Sequence, residues 1–353
     1  MIGGTGRHRP TDQPTDQHSD QHSDRRGDQP RDGDKRVGRK HGGRKHGGEK
    51  ELVPEADFSS YYGRPVVKET VWGPDVPSYL FLGGLAGASS ALAAGAHLTG
   101  HQELARAAKC GAAGAISLSL VALVHDLGRP ARFVNMLRVL KVTSPMSVGT
   151  WILSAYTPLA LGAAASAVTR KLPWAGLAAT MGAAALGPAV ASYTSVLIAD
   201  TAAPAWHEAY RELPFLFVGS AASAAGGLGM LAVRPEQAGQ AVRLAVLGGV
   251  GELTAKRLMM RRLDTEAEPY RRGRAGTLLQ TDEVLTSAGL AGAVLAGRSR
   301  LAAPLAGAAL MAASALTRFG LFEAGRASAR DPKYTVGPQR ERLRERSGAP
   351  GDR

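Results

Sequence analysis

The sequence predicts an all-α integral membrane protein with eight transmembrane helices and a disordered N-terminal tail. Three observations lead there. Between residues 76 and 323 the chain is dominated by blocks of Ala, Gly, Leu, Val and Ser with almost no charge, each close to the roughly 20 residues a helix needs to cross a bilayer. Trp72, Trp151, Trp174 and Trp206 fall at the ends of those blocks, where amphipathic rings settle among headgroups. Lys and Arg concentrate in alternate connections, as they do in loops retained in the cytoplasm.

Composition narrows the function. Lys and Arg exceed Asp and Glu by 13 in 353 residues. In a soluble protein that excess would suggest nucleic acid; here loop charge accounts for it, and no nucleic acid is expected. Cys110 is the single cysteine, so the chain can build neither a disulfide nor a cysteine-ligated iron–sulfur cluster of its own. The opening residues lack the pattern of a charged stretch, an apolar core and a small-residue cleavage site, so the first membrane segment is expected to serve as the insertion signal.

Residues 1–56 form a low-complexity tail. Asp12, Asp16, Asp20, Asp24, Asp28 and Asp32 recur every fourth residue, and Arg39–Gly43 repeats as Arg44–Gly48; with so few apolar side chains, nothing offsets the entropy of ordering. Residues 57–75, rich in aromatics and prolines, read as an interfacial lead-in. The membrane domain, 76–323, divides into apolar segments near 76–98, 104–125, 148–168, 174–198, 213–233, 239–257, 281–298 and 301–323. Residues 324–353 then form a cytoplasmic C-terminal tail. Arg243 and Glu252 interrupt the sixth segment, and Asp282 with Glu283 opens the seventh. Gly83–Gly84 with Gly87, Gly111 with Gly114, and Gly226–Gly227 with Gly229 let backbones approach closely, which lipid-embedded helices need for dispersion to hold them together.

The loop after segment two carries Arg129, Arg132, Arg138 and Lys141; the one after segment six carries Lys256, Arg257, Arg261, Arg262, Arg271, Arg272 and Arg274. The opposite loops are poorer in cations. Both termini are therefore expected in the cytoplasm of a multi-pass protein of the cell membrane. In that topology Asp75, Asp126, Asp200, Glu252, Asp282, Arg318 and Glu323 all fall toward the cytoplasmic half. Ionisable groups at such depth are costly unless paired or hydrated, so a one-sided set predicts a wet pocket or a proton path, with Asp126, Glu252 and Asp200 as proton carriers.

Membrane haem needs two facing imidazoles. His97 and His101 lie toward the outer side, and His125 and His207 sit in loop-like contexts at the inner ends, so no haem is expected. No H-x-x-x-H spacing occurs within a segment, so no metal is expected. Quinone fits better: it needs an apolar cleft, one hydrogen-bond partner per carbonyl and a proton route to water. Tyr193 supplies a hydroxyl from lipid depth, and Pro188, Pro204 and Pro214 are expected to break or end helices beside it.

Asp126-Leu127-Gly128-Arg129-Pro130 with Arg132-Phe133, then Ser144-Pro145-Met146-Ser147 and Gly149-Thr150-Trp151, resembles the signature of the NrfD-like family of polysulfide-reductase membrane subunits. The likeness extends to Trp72-Gly73, Tyr79-Leu80-Phe81, Tyr193-Thr194, Pro204, Trp206, Leu213-Pro214, Phe217 and Asp331-Pro332-Lys333-Tyr334-Thr335, covering roughly 66–345. It implies a membrane subunit without a haem or cluster, which exchanges electrons between menaquinone or ubiquinone and a ferredoxin-like four-cluster iron–sulfur subunit. That partner serves a molybdopterin or tungstopterin catalytic subunit; the substrate belongs to that polypeptide, and for a cytoplasm-facing complex formate is expected ahead of polysulfide or thiosulfate. The resemblance places the quinone near Tyr193 and the start of segment one. Where some relatives present Asn and His, this chain has Lys68 and Glu69, leaving Trp72, Asp75 and Arg129 as the other candidate quinone contacts. Arg132, Arg138 and Lys141 are the expected docking cations. A proton or small-solute transporter on the same fold is the alternative reading.

Overall fold

Every described element is helical. The computed structural model describes residues 66–347 except 71, 130, 264 and 296–300; the low-complexity tail and most of the lead-in lie outside the described residues. Long helices run Asp75–Leu98 (α1), Gln102–Asp126 (α2), Pro145–Thr169 (α4), Pro173–Ala199 (α5), Leu213–Ala232 (α7), Gly239–Arg262 (α8), Gly273–Val294 (α10) and Ala302–Arg330 (α11). Short helices Ala131–Met136 (α3), Pro204–Glu208 (α6) and Glu268–Arg271 (α9), with the terminal Lys333–Ser347 (α12), fall between or after them.

Among the described residues six helices, α1, α2, α4, α5, α7 and α11, are long and apolar enough to cross a membrane. The chain is an all-α, multi-pass membrane protein. Helices α8 and α10 match them in length but carry Arg243, Glu252, Lys256 and Arg257, and Arg274, Asp282 and Glu283.

Alternating directions give the bundle two unlike ends. One bears the short helices together with the N-termini of α1, α4, α7 and α10; the other bears short connections such as 99–101 and 170–172. Two four-helix groups result. Helices α1, α2, α4 and α5 pack together, as do α7, α8, α10 and α11, and the halves meet mainly through α1 against α7. Backbone crossings where only glycine fits occur in both halves, Gly219 of α7 against Gly248 of α8 among them. A Cβ added to Gly87 of α1 would strike the carbonyl of Gly187 in α5, and one added to Gly307 of α11 would strike that of Gly227 in α7. Such approach maximises dispersion where lipid offers no hydrophobic drive.

Several helices depart from the sequence expectation. Pro188 does not break its segment: α5 continues through it to Ala199, as packed membrane helices allow when neighbours re-satisfy the freed carbonyl. Pro204 and Pro214 do open α6 and α7, where the missing N–H costs nothing. Helix α10 starts at Gly273, so Asp282 lies well inside it. Helix α8 runs to Arg262, which places Lys256 and Arg257 on the helix instead of in the following loop. Helix α11 continues past 323 to Arg330, held by Arg326 and Arg330, which both bond Glu69 of the lead-in. Trp206 is not among headgroups. Fully buried, it stacks on Trp72 at 6.1 Å and packs against Phe322, and its Nε1 donates to the Leu321 carbonyl at 2.7 Å.

Candidate functional site

Among the buried polar groups of the described residues, one assembly in each half bears on the candidate site. In the first, α1 presents Tyr79 one turn below its start and α5 presents Tyr193 under two turns from its end. Both side chains are buried and their hydroxyls bond to each other. Gly149 of α4 makes room for the Tyr193 ring, since a Cβ there would meet its edge at 2.6 Å. Ser119 of α2 donates to the Tyr79 carbonyl at 3.1 Å, so four helices fix the pair.

Above it, at the end bearing the short helices, Asp75 accepts from or pairs with His125 Nδ1 at 2.9 Å. The half-buried Asp126 accepts from the Gly73 backbone beside both. Trp72 stacks on Trp206 at the same end. Asp75, Asp126, Trp72 and Tyr193 thus share one end of the bundle. Asp200 stands apart, an exposed C-cap of α5; as the last residue of a span reaching water, it needs no partner. Arg129, Arg132, Arg138 and Lys141 are all exposed, Arg132 donating back to the Leu127 carbonyl at 3.0 Å. Exposed Val134, Val139, Leu140 and Val142 intervene, giving a surface both cationic and apolar.

The second assembly is charged. Glu252 of α8 accepts from Thr317 Oγ1 at 2.7 Å. Lys256, one turn along, pairs with Asp282 of α10 at 3.0 Å and lies 3.7 Å from Glu283; Thr286 donates to the other Asp282 oxygen at 3.2 Å. Arg318 of α11 donates to the Phe217 carbonyl at 2.8 Å, its guanidinium 3.9 Å over the Phe217 ring. Glu252 Oε2 and Arg318 Nε and Nη1 have no partner among the described residues. Buried groups in that condition are uncommon and call for an explanation.

Glu252, Asp282 and Arg318 lie nine to twelve residues from the helix ends at the short-helix face, roughly 14–18 Å down at 1.5 Å per residue. They lie near the middle of their helices. A cavity of about 270 Å³, lined by Lys256, Arg257, Arg261, Arg271 and Glu283, joins Lys256 to that face.

Sequence reasoning missed Tyr79, Lys256 and Thr317 as site members. For Lys256 a signal existed: it stands at i+4 from Glu252, on the same helix face. Among the described residues no group of three His, Cys, Asp or Glu side chains could hold a metal ion. His125 is engaged by Asp75, and His207 Nδ1 by the Ala199 carbonyl at 3.1 Å.

Residues 66–261, more than half of the chain, match the family model described as "Polysulphide reductase, NrfD". The chain belongs to the NrfD family. The matched stretch holds the tyrosine pair, the Asp75–His125–Asp126 group, the basic loop and Glu252 with Lys256. Asp282, Thr317 and Arg318 of this NrfD-family chain lie beyond it. A comparison with curated proteins returns no match.

Proposed function

We propose that this chain is the quinone-binding membrane anchor of a multi-subunit oxidoreductase. It exchanges electrons between menaquinone or ubiquinone and a ferredoxin-like iron–sulfur subunit serving a molybdopterin- or tungstopterin-type enzyme, with formate as the first substrate to try. The carrying observation is the buried Tyr79–Tyr193 hydroxyl pair in an NrfD-family chain, within two turns of a face lined by Asp75, His125 and Asp126. A quinone bound beside it supplies two-electron, two-proton carrier chemistry. Tyr193 donates to one carbonyl oxygen, with Trp72 and the apolar start of α1 as the wall. Asp126 and Asp75, with His125, take protons from or give them to water at that face; Arg129 neutralises charge at the mouth. Arg132, Arg138 and Lys141 dock the iron–sulfur partner. In this reading α8 and α10 cross the membrane too, making eight spans with both termini cytoplasmic.

The test is quinone reduction by the assembled complex. Tyr193→Phe and Asp126→Asn should each reduce turnover by about 10²-fold or more, the range of a lost proton-transfer group, while the complex still co-purifies. Normal turnover in both variants removes the mechanism.

A second reading, a proton or small-solute transporter, draws on the mid-depth cluster of Glu252, Lys256, Asp282 and Arg318. Ionisable groups inside a membrane mark ion pathways. Solute-driven pH changes in proteoliposomes of the chain alone, without any co-purifying iron–sulfur subunit, would favour it.

A further inference from the structure

The first half of the bundle holds another buried cation, at the opposite end. Lys109 of α2 is only 7% exposed. It contacts another potential cation, His97, with Nδ1 3.4 Å from Nζ. Among the described residues no carboxylate pairs with it. The buried lysine of the second half, Lys256, has Asp282; Lys109 has no such counter-charge.

Lys109 instead faces a cavity of about 520 Å³ at the short-connection end, lined also by His97, Arg106 and Arg170. One carboxylate, Glu103, lines it, and Arg234 lies 3.8 Å from that group. Lys109 also lines a small void of about 10 Å³ shared with Ser90 and Thr180, so this side chain borders both the cavity and the buried interior. Three cationic side chains and an imidazole around a half-open cleft make an anion receptor. Guanidinium forks match the paired oxygens of phosphate, and a desolvated ammonium requires a counter-charge. At the same end Leu98, Leu172 and Trp174 are exposed apolar side chains at span ends, the level at which lipid headgroups lie.

We propose that this cavity binds a phosphate group, held by the buried Lys109 and the exposed Arg106 and Arg170. The group comes from an anionic phospholipid or from free phosphate. The site is separate from the tyrosine pair and does not depend on the quinone reading.

The full chain is reconstituted in phosphatidylcholine nanodiscs. One arm adds a small fraction of phosphatidylglycerol and follows retained lipid by native mass spectrometry; the other titrates inorganic phosphate against thermal stability without anionic lipid. A retained phosphatidylglycerol identifies the lipid source, and a saturable phosphate response identifies the free anion. In either case Lys109→Gln, and the rim variants Arg106→Gln and Arg170→Gln, should weaken binding about tenfold or more, as loss of a charge-assisted hydrogen bond does. Arg243→Gln, on exposed α8 surface, should not. The rim variants keep the test valid if Lys109→Gln fails to fold. The proposal is overturned if the unsubstituted chain shows no lipid retention and no phosphate response, or if binding is unchanged in the rim variants.

Discussion

Tyr193 was legible because a lone phenol in an apolar segment stands out against its neighbours, but its partner was not. Tyr79 lies four residues into α1, where an aromatic side chain reads as an interfacial anchor, and the bond joins residues 114 apart in sequence. Trp206 misled in the opposite sense: its place after a span suggested headgroups, whereas Trp72, Phe322 and the Leu321 carbonyl enclose it. Gly149 carries a prediction at this scale. Gly149→Ala puts a methyl against the Tyr193 ring, and quinone reduction should fall about tenfold or more, as when catalytic groups are misplaced by an ångström. Gly251→Ala, which meets open space, should leave turnover unchanged. Glu69 carries another. Hydrogen bonds from Arg330 and Arg326 hold its carboxyl down to about 2, against an ordinary 4.5. A depressed carboxyl stabilises fully above its ordinary value and loses that contribution as pH falls toward the folded one. Protection of residues 66–70, taken relative to their intrinsic exchange rates, should therefore fall between about pH 4.5 and 2, and Glu69→Gln should show low protection already at neutral pH.

At the scale of elements, hydropathy located the apolar helices well and the charged ones poorly. A low-charge window opens at 281, yet α10 begins at Gly273, because Arg274 costs little at a helix end near water and Asp282 is matched inside by Lys256. That match spans two helices, and no single segment reveals it. The pair predicts an asymmetric mutational response. Lys256→Met strands a buried Asp282 and should cost about 3–5 kcal/mol, whereas Lys256→Met with Asp282→Leu should recover most of that loss, because removing both charges removes the desolvation penalty. Melting temperatures of the purified chain in detergent decide it; a double variant no more stable than the single one would contradict the pairing. The glycine crossings give a second response. Gly87→Leu should prevent α1 from meeting α5 and abolish folded protein, while Gly95→Leu, facing open space, should express normally.

For the whole molecule, charge asymmetry was the most legible property and the division into halves the least, since the halves share little beyond glycine placement. The exposed Arg129, Arg132, Arg138 and Lys141 predict association governed by ionic strength. Binding of an acidic iron–sulfur partner should weaken as salt rises through 0.1 M, where the screening length is about 10 Å, and replacing Arg132 and Arg138 by Gln should flatten that dependence. A partner that binds equally at low and high salt would point to the valines and Leu140 as the determinants. The paired glycine crossings have a wider implication. Seven or eight residues from Gly87 and Gly227, toward the same end, the first half places Tyr79 against Tyr193 and the second places Ser220 against Ser314. One scaffold used twice separates the duty of staying assembled from the duty of doing chemistry: so long as the crossings hold, aromatic hydroxyls on one side and acids with bases on the other can be exchanged independently.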